Sequence, residues 1–340
     1  MVIGIILLNL GGPDSLAAVK PFLYNLFSDR DIIRLGPSFL QKPIASLIIK
    51  SKLKKTLSAY SLIGGKSPLL DITTAQAKAL EELLNQNSEP ESQSISNSPS
   101  PPFRKGGMGE FEQFKVSVGM RYWHPFTAEG LELMHKKGIK KIIALSLYPH
   151  YSVATTGSSI KDFKEAAAKY PFEYSCITSW FNHPIYIDAL VEKIQEGMRL
   201  FHEKPVVLFS AHSLPQKFVD AGDPYVQEIR GTIGEITKRM DIEWHLSYQS
   251  KTGPVKWLEP TTEHLLHELA GNGVKNLLVV PISFVSDHIE TLYEIDMLYK
   301  EMAQGLGIKL KRTESLNTSA KFIEALADIV MKDVKNLGWG

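Results

Sequence analysis

The chain has 340 residues, 44% hydrophobic and 22% charged, a balance that suits a globular protein with two ordinary domains and a sizeable core. Lys and Arg number 38 against 37 Asp and Glu, so no bulk positive field exists to hold a nucleic acid. The single cysteine, Cys176, excludes an intrachain disulfide framework, a cysteine zinc finger and a cysteine-ligated iron–sulfur cluster, and it fits a reducing compartment.

Val2–Leu10 is apolar but has no basic leader and runs into Gly11-Gly12, so it reads as a buried first strand and not as a signal peptide. Leu16–Phe27 has helical periodicity. In Ser38–Lys55, Phe39, Leu40, Ile44, Leu47, Ile48 and Leu53 are interleaved with Lys42, Lys50, Lys52, Lys54 and Lys55. That pattern fits a core helix with a basic outer face or a helix that docks on an anionic surface. Gly64-Gly65-Lys66-Ser67-Pro68 is a turn that offers backbone N–H groups before the helical stretch Thr74–Leu84. Residues 87–110 are rich in Ser, Pro and Gly with almost nothing to bury, which predicts a disordered surface insertion.

Strands are then predicted at Phe114–Met120, Lys141–Tyr148, Glu173–Thr178, Val206–Ala211, Ile242–Tyr248 and Asn276–Val285. Helices are predicted at Ile185–Phe201, Pro224–Met240, His288–Gln304 and Ala320–Leu337. Apolar runs this continuous belong to strands covered on both faces, hence to parallel sheets flanked by helices. The alternation divides into two successive units, the first ending near residue 165. No apolar run approaches the ~18–20 residues of a membrane helix.

The dinucleotide, Walker and nucleophile-elbow signatures are absent. His264 and His267 share a helix face, but Glu263 and Glu268 beside them mark it as solvated. Two segments stand out. Ser210–Pro215 follows the strand Val206–Phe209, and Ser286–Glu294 follows the strand that ends at Val285. Both lie at carboxyl ends of parallel strands, where ligands bind, so His212 and Glu290 are expected to face one crevice. Asp287, Glu290 and Glu294 recur at i, i+3 and i+7, and a helix N-terminus keeps His288 uncharged. Histidines and carboxylates without a thiol suit proton transfer and weak, transient binding of a borderline divalent metal.

LLNLGGP at 7–13, GMRYWHPF at 119–126, YPHYSVATTGSS at 148–159, LFSAHSLP at 208–215, AGDPY at 221–225, YQSKTGPVKWLEP at 248–260 and SFVSDHIETLYEID at 283–296 resemble the ferrochelatase family in order and spacing. Only 87–110 falls outside the resemblance. It implies an α/β fold of two similar Rossmann-like domains with a porphyrin cleft between them. Residues 1–165 plus 315–340 would form the first domain and 166–314 the second. It implies ferrous iron inserted into protoporphyrin IX, the terminal step of heme biosynthesis, with coproporphyrin III or cobalt chelation as alternatives, and a non-catalytic tetrapyrrole-binding protein as a third. The LLNLGGP and YQSK forms resemble Gram-negative and eukaryotic members, which favours protoporphyrin.

His212 would be the catalytic histidine, as proton acceptor or metal contact, joined by His288, Glu290 and Glu294, with His212 and Glu290 meeting the metal. Leu10, Arg121, Tyr122, Tyr151 and Trp257 match cleft-lining positions, and Tyr60 and Ser67 match positions near the propionates. Lys52 stands where animal enzymes carry a propionate-binding arginine, which removes bidentate binding there. Leu10 replaces a methionine of those enzymes. Iron is substrate, no cofactor is permanently bound, and the C-terminal cysteines that hold an iron–sulfur cluster in animal members are absent. The expected protein is a monomeric, cytoplasmic enzyme that binds no nucleic acid and touches the inner membrane peripherally through 38–55.

Overall fold

A computed structural model describes residues 1–32, 35–86, 113–251 and 255–339; the expected insertion at 87–110 lies outside the described residues. The apolar run VIGIILLN forms strand β1 (Val2–Asn9), buried at every residue after Val2. It lies between β2 (Gln113–Met120) and β3 (Lys141–Ser146), and β4 (Glu173–Ile177) pairs with β3, all in parallel. The second sheet repeats the plan. β5 (Val206–His212) lies between β6 (Trp244–Gln249) and β7 (Asn276–Pro281), with β8 (Lys309–Arg312) at the edge beside β7.

Helices α1 (Val19–Ser28), α2 (Gln41–Leu62) and α3 (Leu69–Gln86) separate β1 from β2. They are followed by α4 (Thr127–Lys136), α5 (Ser158–Ala167) and α6 (Pro184–Met198). In the second unit α7 (Gln216–Asp220), α8 (Tyr225–Thr237) and α9 (Thr262–Gly271) precede a π-helical segment, Glu290–Tyr299, which continues into α10 (Lys300–Gly305). The chain closes with α11 (Ala320–Asn336). Two parallel sheets with helices on both faces make the two Rossmann-like units that the strand runs implied.

The units share one core. Ile5, Leu7 and Leu80 of the first belong to the same buried cluster as Phe209, Val280 and Phe322. Helix α11 packs on both α3 and α6, so it bridges the units where the sequence assigned it to the first. Gln76 of α3 donates through Nε2 to Ser286 Oγ at 2.9 Å and to the Asn317 carbonyl at 2.7 Å, a buried tie between the halves.

Three expectations change. The first sheet extends to Ile177, past the boundary placed at 165, because β4 completes it through Lys141↔Glu173 and the pairs that follow. Strand β8 was not foreseen: it reads KLKR, an edge strand with a single apolar residue and no continuous run. The apolar residues of Ser38–Lys55 do not form one stripe. Ala45 and Ile49 are buried with Ile48 and Leu53 packed behind them, while Phe39 and Leu47 are 76% and 70% exposed.

Candidate active site

The carboxyl end of β5 delivers His212, and its backbone is held from both sides. Its N–H donates to Ser283 Oγ at 3.0 Å, and its carbonyl accepts the Tyr225 hydroxyl at 3.0 Å. Ser210, two residues earlier, donates to Gln249 Oε1 at 2.6 Å, which locks β5 to the end of β6. On the second strand end, the π-helical segment presents Glu290, whose Oε2 meets His212 Nδ1 at 2.8 Å. The Ser250 hydroxyl lies 2.9 Å from the same Glu290 oxygen and 2.5 Å from Glu294 Oε2.

These contacts set the charges. Burial pushes the His212 imidazolium down, but Glu290, by charge and hydrogen bond, with Glu294 behind it, turns the net shift upward. Burial works against the Glu290 carboxylate too, yet His212, His288 and the Ser250 hydroxyl hold it below the usual carboxylate range. Glu294 goes the other way, raised by burial and then by the Glu290 charge. Two neighbouring carboxyl groups pushed apart in this way divide roles, one staying ionised and one available to carry a proton.

Two more histidines border the cleft, and both are neutral. His288 Nδ1 faces the Ser286 carbonyl at 3.1 Å, so Nδ1 carries the proton and the buried Nε2 keeps a bare lone pair. Its ring packs against Phe284 at 4.2 Å between centroids, and burial lowers its pKa. The Thr232 hydroxyl gives its proton to the Phe181 carbonyl at 2.7 Å, so it accepts from His150 Nε2 at 2.8 Å. His150 therefore keeps a bare Nδ1, and burial drives its pKa to about 3. The cleft opens to solvent, and its interior leaves about 110 Å³ for water-sized molecules. Leu10, Leu69 and Leu147 of the first unit and Leu214, Phe284 and Val285 of the second give it largely apolar walls.

Of the residues expected at the site, His212, His288, Glu290 and Leu10 line this cleft, and Glu294 joins them through Ser250. Tyr60 ends up buried at the end of α2, close enough to Glu290 that the carboxylate charge adds to burial in raising its hydroxyl. Lys52 lies half-exposed about 12 Å earlier along the same helix. Ser67 is buried in the turn before α3, where its N–H donates to the Pro13 carbonyl at 2.8 Å and its Oγ accepts the Leu69 N–H. A Cβ on Gly12 would fall 2.5 Å from Ser67 Oγ, so that glycine is required by close approach.

Arg121 and Tyr122 follow β2, and the Tyr122 N–H donates to the carbonyl of the cleft-lining Leu10 at 3.0 Å. One carboxylate gathers them: Asp29 Oδ2 accepts Arg121 Nη2 at 2.7 Å, the Tyr122 hydroxyl at 2.6 Å and Ser158 Oγ at 3.1 Å. Tyr122 is 1% exposed among α1 and α2 side chains, so the pair braces those helices on the sheet. Tyr151 donates its backbone N–H to Glu228 Oε2 at 2.6 Å, and Trp257 forms a strand-like bridge with Pro215 beside the His212 segment. Asp287 turns away from the other carboxylates. Arg312, Ser315 and Asn317 hold it, and against burial they keep its pKa low.

The residues missed in the sequence are His150, Tyr225, Ser250 and Ser283. His150, Ser250 and Ser283 sit inside the long motifs after strands and Tyr225 ends AGDPY at the start of α8, all as common residue types with no spacing that marks them.

A sequence profile of the ferrochelatase family matches residues 2–334. The chain belongs to the ferrochelatase family. It is 49% identical to the ferrochelatase of Geotalea uraniireducens, covering 98% of each chain. It is 50% identical to that of Geobacter metallireducens, covering 96% of this chain and 97% of the relative. Among solved structures, SirB from Bacillus subtilis with Fe3+ aligns with a TM-score of 0.53 at 12% identity, over 98% of this chain and 95% of that one. The sirohydrochlorin chelatase SirB in complex with cobalt gives 0.54 at 12% identity, over 99% and 97%. At that identity the likeness is one of fold. Ferrochelatases are lyase-class metal chelatases, and the activity of this family member is insertion of a metal ion into a porphyrin.

Proposed function

We propose that the porphyrin is protoporphyrin IX, the metal ferrous iron and the product protoheme, which makes this the terminal step of heme biosynthesis. The observation that carries the chemistry is the His212–Glu290 pair in the lining of a largely apolar cleft. A free porphyrin has two pyrrole N–H protons that must leave before iron takes four nitrogens. Because Nδ1 is engaged by Glu290, Nε2 of His212 is the nitrogen offered to the ring, and the carboxylate stabilises the imidazolium that forms. Glu294, one step behind through Ser250, receives the proton next. The apolar walls grip the macrocycle so that binding at its periphery bends the ring and exposes nitrogen lone pairs. Iron is the second substrate and meets His212 and Glu290, a two-donor set too sparse to retain it.

Protoporphyrin is favoured over coproporphyrin III because the LLNLGGP and YQSK forms at 7–13 and 248–251 resemble Gram-negative and eukaryotic members of the family. The enzyme acts as a cytoplasmic monomer without a resident cofactor, and it touches the membrane peripherally through α2. The membrane contact is supported by the exposed Phe39, Leu47 and lysines. Among the described residues no helix is long and apolar enough to cross a membrane. The test is anaerobic turnover of purified protein with ferrous iron, comparing protoporphyrin IX with coproporphyrin III, and with cobalt and an earlier tetrapyrrole. Preference for protoporphyrin IX is expected. Higher kcat/KM for coproporphyrin III or for cobalt insertion replaces the proposed substrate, and binding without turnover leaves a tetrapyrrole carrier.

A further inference from the structure

Ser250 follows β6 directly and has a backbone φ of 67°, in the left-handed region that glycine and asparagine accept and most other residues avoid. A serine kept there is held by its surroundings. The conformation turns its hydroxyl onto the π-helical segment, between two carboxylates. Glu290 Oε2 already meets His212 Nδ1 at 2.8 Å, and Ser250 Oγ adds contacts of 2.9 Å to that oxygen and 2.5 Å to Glu294 Oε2. The four groups form an unbroken line from the cleft. Gln249, the preceding residue, is 3.5 Å from Glu294 Oε2 through Nε2, so the same loop steadies the far end.

A hydroxyl has one proton and two lone pairs. Its one proton can be given to only one of the two carboxyl groups at a time, and its oxygen accepts from the other only when that group is protonated, so the hydroxyl couples a proton on one to the charge on the other. We propose that Ser250 is a positioning residue for proton release: its hydroxyl clamps Glu290 against His212 and joins Glu290 to Glu294. This rests on the reading of His212 and Glu290 as the proton-accepting pair. The competing role is a plain turn residue, for which the hydroxyl is dispensable.

Ser250→Gly separates the two, because glycine relieves the positive φ while it removes only the hydroxymethyl group. The expected result is a kcat for metal insertion lower by about tenfold, with KM for the porphyrin within about twofold. In a double-mutant cycle, Ser250→Gly combined with Glu294→Gln is expected to be no slower than the slower single variant, because both cut one line. A kcat within twofold of wild type in Ser250→Gly overturns the proposal, as does a double variant whose losses multiply. If Glu294→Gln is impaired while Ser250→Gly is not, the relay stands and the serine's role falls. If Glu294→Gln runs at the wild-type rate, the relay itself falls and the proposal with it.

Discussion

Glu290 and Glu294 share one hydroxyl, that of Ser250, and yet their pKa values are displaced in opposite directions. Glu290 is stabilised as an anion by His212, whereas Glu294 has burial and a neighbouring negative charge against it. The sequence pattern i, i+4 makes the two look interchangeable. The structure gives the first direct contact with the histidine and leaves the second outside the cleft lining.

Glu290→Gln is therefore expected to lower kcat by at least about 100-fold and Glu294→Gln by about tenfold, with little change in porphyrin KM for either. Steady-state kinetics on both variants is the check. Equal, mild losses would make the acidic face of this segment a solvated surface.

His212→Ala removes the acceptor and acts on the chemical step. Turnover should fall by about 10²–10⁴-fold or more, while porphyrin affinity stays within about tenfold, measured by fluorescence quenching. Near-normal turnover with ferrous iron would end the assignment.

The pH dependence has a definite sign. His212 must be neutral to accept a proton, and its folded pKa lies above the ordinary 6.5 because the Glu290 and Glu294 charges outweigh burial. Activity should thus rise with pH through a midpoint above 6.5. In Glu290→Gln the main raising influence is gone and burial dominates, so the His212 midpoint should move to lower pH. Imidazole NMR titration of wild type and variant reads this without turnover. An unmoved or higher midpoint in the variant contradicts the electrostatic account.

Much of this was legible in the residues because the first unit's VIGIILLN and the second's VVLFSAH are buried runs that end in polar residues. Such runs reveal both the parallel sheets and the ends where chemistry collects. What stayed hidden depends on pairings across long sequence separations. Asp29 binds the Arg121 and Tyr122 side chains, and Asn317 and Arg312 bind Asp287. None of the three partners is marked by spacing. Ser250 was hidden for a different reason: its role comes from a backbone conformation, and a serine in a loop does not announce a positive φ.

The α3–β2 junction predicts the outcome of a deletion. Asn85 clasps the start of β2 in both directions, accepting the Phe114 N–H at 2.9 Å and donating to the Phe114 carbonyl at 3.1 Å. Glu81 accepts the Val116 N–H at 2.8 Å one turn earlier. The two ends are held together by described residues, so a short turn in place of 87–110 closes a short gap. Activity within about twofold of wild type and a melting temperature changed by no more than about 2 °C are expected. A folded but inactive deletion variant would show that 87–110 contributes to the site.

The membrane prediction rests on the outer face of α2 and the turn before it. Phe39 and Leu47 are 76% and 70% exposed, Leu40 is 38% exposed, and Lys42, Lys50, Lys54 and Lys55 are exposed with them. Large apolar side chains exposed among lysines are costly in water alone, and they suit shallow insertion with lysines near anionic headgroups. Ile48 and Leu53, by contrast, pack into the α1–α2 cluster and cannot reach a bilayer without unpacking it. Each exposed lysine near an anionic surface contributes about 1 kcal/mol, so attachment should be reversible and weakened by salt. Co-sedimentation with anionic vesicles at low salt should recover wild type, and neutral vesicles should not. Changing Phe39, Leu40 and Leu47 together to Ser should abolish recovery and leave turnover of porphyrin supplied in detergent within about twofold, because none of the three lines the cleft. Wild-type protein that stays in the supernatant with anionic vesicles at low salt would leave α2 as a helix with a basic, solvated face.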